Sequence, residues 1–241
     1  MNICADNLSV TLGKFRLENV NIEIPEGEIF AIIGETGSGK SVLLESLAGF
    51  YQPQSGGVTY DGINVRDIPL ESRQIGYVYQ DNALFPHMTV RKNIEFGPRM
   101  NGLPKEEYRQ EALRLMKLLK IDHIADRMPG NLSGGEQSRT ALARALILKP
   151  RVLFMDEPFS ALDPNTREQM YGIIENVHRN LGCTIIFVTH DFHEAERLAG
   201  GVGIVIRGEL KAVCPADQLS DQTEDPEVAA FLGLESRDRT E

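Results

Sequence analysis

The sequence predicts an α/β fold in which strand–helix segments at both ends of the chain flank a helical insert. Three observations predict it. Residues 29–33 are a continuous apolar run of strand length, followed at once by a Gly-rich stretch and then by helix-like residues from Lys40. Over 88–149 the apolar residues change to helical spacing. From Val152 onward short apolar runs return.

The elements follow in order. Residues 20–24 alternate apolar with polar, and Pro25-Glu26-Gly27-Glu28 makes a turn. Residues 29–33 read as a buried strand, and a helix is expected from about Lys40 to Gly49. Residues 51–57 are a turn region, and 56–62 look like a strand ending in a turn. In the insert, Tyr108, Ala112, Leu115, Met116 and Leu119 recur at helical spacing behind Pro104. Ala141, Leu142, Ala145, Leu146 and Leu148 form a second such face. Strands are expected at 152–155, 185–188 and 202–206. A helix at about 165–181 carries Met170, Ile173, Ile174, Val177 and Leu181, and Gly182 stops it. The end is acidic from Asp221 and helical around 226–232.

The chain has 241 residues, 35 Asp and Glu against 25 Lys and Arg, and a net charge of −10. Half of that charge lies in residues 221–241, where seven acids face two arginines. The balance argues against a nucleic-acid partner and against unaided binding to anionic lipid, though not against one phosphate ligand in a local pocket. Cys4, Cys183 and Cys214 lack metal-ligand spacing and fit a reducing compartment. No signal peptide and no run of membrane-spanning length is evident.

Three segments carry chemistry. Gly34-Glu35-Thr36-Gly37-Ser38-Gly39-Lys40-Ser41 follows an apolar strand and precedes a helix, the context that a phosphate-binding loop requires. Its backbone N–H groups and the helix N-terminus suit phosphate oxygens. Lys40 can reach the β- and γ-phosphates, and the Ser41 hydroxyl can ligate Mg²⁺. At 152–157, an apolar run delivers Asp156 and Glu157 at its C-terminal end, where α/β sheets place their ligands. Asp156 would hold Mg²⁺ and Glu157 would polarise an attacking water. In Leu132-Ser133-Gly134-Gly135-Glu136-Gln137, Ser133 and Glu136 have capping-box spacing, and the two glycines also suit an anion nest.

The phosphate loop alone leaves kinases, GTPases and helicases open. The three motifs in this order resemble the ATP-binding cassette (ABC) transporter ATPases, over nearly the whole chain. The resemblance implies a P-loop NTPase: a RecA-like α/β core, an N-terminal antiparallel β-subdomain and an inserted α-helical subdomain. On this reading residues 1–220 are one ATPase domain, with core and β-subdomain at about 1–87 and 150–215 and the helical subdomain at about 88–149. Residues 221–241 form an acidic tail, and no regulatory C-terminal domain is expected.

The resemblance also extends residue by residue. Gln80 matches the glutamine that contacts Mg²⁺ and the attacking water. Asp163, after Ser160-Ala161-Leu162, matches the D-loop and also reads as an N-cap before Pro164. His190 matches the switch histidine at the γ-phosphate. The adenine is expected to stack on Phe15, although Leu12 stands where many relatives carry the aromatic, and Phe15 can instead pack in the β-subdomain core. His87, His123, His178 and His193 read as surface or packing residues. Ser138, Thr140 and Gly200-Gly201 depart mildly from the family and are expected to alter packing only.

The implied cofactors are ATP and Mg²⁺. The implied partner is a second copy, paired head to tail, so that Ser133, Gly134, Gly135, Glu136 and Asp163 of one copy face the ATP held by the other. Residues 79–90 resemble import ATPases for oxyanions, sugars, polyamines and iron. Residues 12–17 and 36–45 are most similar to molybdate/tungstate importers. Exporter and non-transport members are the other classes; the latter imply a long coiled-coil insertion or two cassettes in one chain. An importer implies separate permease subunits, an extracytoplasmic receptor acting through them, and a peripheral position on the cytoplasmic face of the membrane.

Overall fold

The computed structural model describes residues 1–222 and 224–234. In chain order its strands are β1 (Ile3–Leu12), β2 (Phe15–Ile24), β3 (Ile29–Ile33), β4 (Ser55–Tyr60), β5 (Ile63–Asn64), β6 (Ile75–Val78), β7 (Val152–Asp156), β8 (Thr184–Thr189), β9 (Gly201–Ile206) and β10 (Glu209–Pro215). Its α-helices are α1 (Lys40–Leu47), α2 (Val90–Ile94), α3 (Phe96–Met100), α4 (Lys105–Leu118), α5 (Gly134–Leu146), α6 (Pro164–Leu181), α7 (Phe192–Leu198) and α8 (Pro226–Leu232). The chain divides into two compact units, Met1–Arg73 with Cys183–Glu241, and Gln74–Gly182.

The first unit is built on strands in the order β5-β4-β1-β2-β10-β9-β3-β8. One end is antiparallel: β1 pairs with β2 and β4, and β4 with β5. Here strands alternate, with Leu8, Val10, Leu17, Val20, Ile22 and Ile24 buried and their neighbours exposed or half-buried. At the other end β3 runs parallel to both β8 and β9. Every residue of β3, β8 and β9 is buried, as expected of strands covered on both faces. Helix α1 packs on β8, and α7 on β3. Gly201 explains one departure in the sequence: a Cβ there would sit 2.9 Å from the Phe30 ring and 2.6 Å from Glu28 Oε1.

The second unit sets a short parallel pair, β6 and β7, among α2 to α6. Helix α5 is its hub, packing against α2, α4, α6 and β6. The apolar face expected on α4 is buried at Tyr108, Ala112, Leu115 and Met116. Leu148, read as part of the α5 face, is instead 45% exposed, because α5 ends at Leu146 and the helical period stops with it. Helix α6 opens on the Asp163 N-cap and Pro164 and closes at Gly182 with φ 63°.

The α/β architecture, with its antiparallel N-terminal sheet and helical segment, agrees with the reading of the sequence. Strands β1, β5, β6 and β10 were not anticipated. The acidic tail is described in part: α8 occupies Pro226–Leu232, while residues 223 and 235–241 lie outside the described residues. Among the described residues, no helix is long and apolar enough to cross a membrane.

Candidate active site

Two parallel strand pairs deliver the predicted residues. In the first unit Ile33 of β3 lies opposite Thr189 of β8. The residues that follow, Gly34 and His190, therefore leave the sheet side by side. His190 is exposed, and the turn beyond it is fixed locally. Thr189 Oγ1 donates to Glu194 Oε2 at 2.5 Å and accepts from the Asp191 amide at 3.0 Å.

The loop from Gly34 to Ser41 is closed on itself. Lys40 is only 5% exposed, and its Nζ donates to the carbonyls of Gly34 (2.9 Å) and Glu35 (3.0 Å). The ammonium thus stands inside a ring of backbone, where a phosphate would meet it. The Ser38 amide donates to Glu35 O, and the Gly208 amide of the β9–β10 turn donates to Ser38 O at 2.9 Å. Ser38 Oγ is buried without a hydrogen-bond partner, a polar group suited to a phosphate oxygen. Gly39 caps α1 with φ 106°, a left-handed conformation, and a Cβ there would lie 2.3 Å from the Phe15 ring. Glycine is therefore required on two counts. Phe15 is half-buried and adjoins the loop at Gly39; across the β1–β2 hairpin it pairs with Leu12.

In the second unit Val78 of β6 lies opposite Met155 of β7, so Gln80 and Glu157 also emerge together. Gln80 Nε2 donates to Glu157 Oε2 at 3.4 Å. Asp156 ends β7 and is buried, at 9% exposure. Glu157 has φ 42°, unusual for a non-glycine residue. The Ser160 hydroxyl donates to the Glu157 carbonyl at 3.0 Å and helps to hold that bend. Such local strain recurs at functional sites.

Ser133 is the N-cap of α5 and forms a complete capping box with Glu136. The Glu136 carboxylate accepts from the Ser133 amide (2.7 Å) and hydroxyl (3.0 Å), and Ser133 Oγ accepts from the Glu136 amide (3.3 Å). Those bonds, chiefly the Ser133 amide, hold the Glu136 carboxyl below its ordinary pKa of 4.5. Gly134 and Gly135 lie in the first turn, where amides have no carbonyl of the helix to bond. A Cβ on Gly135 would meet Thr166 Cγ2 at 2.5 Å, so this glycine also lets α5 approach α6. Asp163 is exposed and fully engaged in capping α6. It accepts from the amides of Asn165 and Thr166 (both 3.1 Å) and from the Thr166 hydroxyl (2.6 Å).

Taken by itself, the first unit offers a cation the Ser41 hydroxyl, and the second offers the Asp156 carboxylate and the Gln80 amide oxygen. These are hard oxygen ligands that fit Mg²⁺. Among the described residues no cluster of three or more His, Cys, Asp or Glu exists to hold a metal alone. An ion bound by either set would take its remaining ligands from phosphate and water, as Mg²⁺ commonly does.

Two side chains that hold the loop after Gln80 were not found in the sequence. Asn93, fully buried, donates to the carbonyls of Phe85, Met88 and Thr89 and accepts from the Phe85 amide. Arg144 donates to the carbonyls of Asn82 and Ala83. Together they hold the loop that follows Gln80. No sequence signal marked them except a polar residue set among apolar ones.

A self-closed phosphate loop on a buried parallel strand, with paired acids at the end of another strand, defines a nucleotide-hydrolysing α/β protein. Residues 17–160 match the family model described as ABC transporter, and the chain belongs to that family, as one of its ATPase domains. It is 39% identical over 235 residues to the probable sulfate/thiosulfate import ATP-binding protein CysA of Chlorella vulgaris, covering 97% of this chain and 100% of that one. It is 41% identical over 231 residues to the molybdate/tungstate import ATP-binding protein WtpC of Pyrococcus horikoshii, covering 96% and 67%. With the spermidine/putrescine import ATP-binding protein PotA of Oleidesulfovibrio alaskensis it shares 41% identity, covering 90% and 58%. Among solved structures, a dimeric ATP-binding cassette in a post-hydrolysis state with ADP and Pi superimposes with TM-score 0.78 at 31% identity, covering 89% of this chain and 98% of that one. CbiO1 of Clostridium perfringens, part of the cbiONQ transporter complex, superimposes with TM-score 0.83 at 26% identity, covering 96% and 98%.

Proposed function

We propose that this ATPase powers solute import through a separate membrane permease, and that the solute is an oxyanion of the molybdate/tungstate kind. The import reading is supported by the similarity to import ATPases over nearly the full chain. The hydrolytic reading is carried by one observation: the Gln80 amide meets the Glu157 carboxylate where β6 and β7 end.

In the proposed mechanism the amides of Gly34 to Ser41 and the Lys40 ammonium hold the β- and γ-phosphates. Phe15, beside Gly39, is the candidate for stacking on adenine. Ser41, Asp156 and Gln80 would hold Mg²⁺, which supplies charge neutralisation on the phosphates when bound. Glu157 orients and polarises the attacking water. Water oxygen bonds to the γ-phosphorus, the bond to the ADP oxygen breaks, and ADP and phosphate leave. His190 and Lys40 offset charge on the γ-phosphoryl group. A second copy completes each site: Ser133, Gly134 and Gly135 of the partner subunit present a hydroxyl and first-turn amides, and Asp163 of the partner subunit stands nearby. Glu136 fixes Ser133 through the capping box. ATP then favours the closed dimer and hydrolysis reopens it, a ligand-driven two-state switch.

The dimer docks on permease subunits at the cytoplasmic face of the membrane, and a receptor on the other side selects the solute. Co-expression with the membrane partners, reconstitution into vesicles and ATP-dependent uptake test this. Uptake of molybdate or tungstate in preference to sulfate and spermidine is the expected result. Preference for sulfate or spermidine would move the solute, and outward transport would overturn import.

A further inference from the structure

The segment after Gln80 is held in an unfavourable backbone shape. Asn82 and Ala83 are consecutive residues with φ of 60° and 43°, in the left-handed region. Non-glycine residues enter that region at a cost and stay there only when their surroundings over-determine it. The carbonyls of these two residues are the ones that Arg144 collects. Nη1 donates to Ala83 O at 2.7 Å and Nη2 to Asn82 O at 2.9 Å. The same guanidinium lies 5.3 Å from the centre of the Phe85 ring, and Phe85 packs on Phe96 at 4.5 Å. Burial lowers the pKa of Arg144, and Tyr79 and Asp81 offset that by favouring its charge. The far side of the loop is tied by Asn93 to Phe85, Met88 and Thr89.

Arg144 sits near the end of α5, the helix whose N-cap is Ser133. At 1.5 Å per residue the two lie about 16 Å apart along one rigid rod. The rod ends in a fork that grips two carbonyls just beyond Gln80. A lysine has one ammonium and no planar fork, so it cannot reproduce this two-carbonyl grip.

We infer that Arg144 is a positioning residue for hydrolysis: by fixing the Asn82–Ala83 bend to α5 it sets the reach of Gln80 toward Glu157. Displacement of the Ser133 end of α5 therefore changes where Gln80 stands. This rests on the reading of Gln80 as a contact for the water and the metal.

The test is a double-mutant cycle on ATP hydrolysis by the full chain, with kcat and KM measured for Gln80→Ala, Arg144→Ala and both together. Arg144→Ala is expected to lower kcat about ten- to a hundredfold with KM within about twofold. The double variant should be no slower than Gln80→Ala alone. Added methylguanidinium should restore part of the Arg144→Ala rate, and Arg144→Lys should recover less than methylguanidinium does. If Arg144→Ala does not fold, Arg144→Lys carries the same cycle. Losses that multiply, or a rate loss that follows thermal stability and resists rescue, would overturn the positioning role while leaving Gln80 in place. A Gln80→Ala variant with full turnover would instead remove the reading of Gln80, and the proposal with it.

Discussion

The phosphate loop and the Gln80–Glu157 pair use the same device in different ways. Each is presented at the C-terminal ends of two adjacent parallel strands, β3 with β8 and β6 with β7. The phosphate loop is then finished by backbone. Lys40 is buried and bonded to carbonyls of its own loop, and Gly39 permits a turn that a side chain would block. The other pair is finished by side chains. Gln80 touches Glu157 at 3.4 Å, the outer limit of a hydrogen bond, and Asn93 and Arg144 hold the loop behind it from outside. The first arrangement would serve as a preformed cradle for a fixed group, the phosphate chain, on the function proposed above. The second rests on one long side-chain contact, which on the proposed function would suit a group that acts only when the site is complete.

If the two regions are functionally separate, variants should divide cleanly. Glu157→Gln should show the largest effect: turnover lower by about two to three orders of magnitude with ATP affinity unchanged, measured by phosphate release and nucleotide-fluorescence titration. Gly39→Ala should do the reverse. Its φ of 106° and the Phe15 ring 2.3 Å away make the substitution strained, costing about 2 kcal/mol in urea unfolding and weakening ATP binding. Unchanged ATP affinity in Gly39→Ala would break the comparison. Asn93→Ala removes the side-chain partner of the Phe85 amide and of the Met88 carbonyl, while the Phe85 and Thr89 carbonyls keep bonds from the Met88 and Asn93 amides, at about 1–3 kcal/mol. It should lower kcat and leave ATP affinity alone.

The smallest effect concerns acid. The Glu136 carboxyl lies below 4.5 in the folded chain because of its bond from the Ser133 amide. Its contribution is therefore present above pH 4.5 and is lost as pH falls through the lower folded value. The difference in melting temperature between wild type and Glu136→Gln should be constant at neutral pH and shrink below pH 4.5. A difference that persists there would mean the capping carboxylate adds nothing.

The two regions also differ in how legible they were. The phosphate loop is contiguous, and its chemistry is backbone chemistry that glycine spacing encodes, so Gly34 to Ser41 could be read directly. Asp156 and Glu157 were legible because four apolar residues, Val152 to Met155, lead directly into them at the end of β7. The contact of Gln80 with Glu157 was not legible from spacing, since it spans 77 residues and depends on the register of β6, which at four residues is too short to show a period. Strand β10 was missed because Glu209 and Lys211 break its apolar pattern; in the fold Lys211 pairs with both Glu209 and Glu227. Arg144 and Asn93 are polar residues that bind backbone carbonyls distant in sequence or hidden in a turn, and a side chain's carbonyl partner leaves no mark on a single sequence.

On the proposed function Glu157 drives a hydrolysis that reopens an ATP-closed pair of copies. Gel filtration of Glu157→Gln with Mg-ATP tests it most directly. The expected result is a species of twice the monomer mass that retains unhydrolysed ATP and disappears when ATP is withheld. A variant that stays monomeric with Mg-ATP and still releases phosphate at the wild-type rate would contradict it.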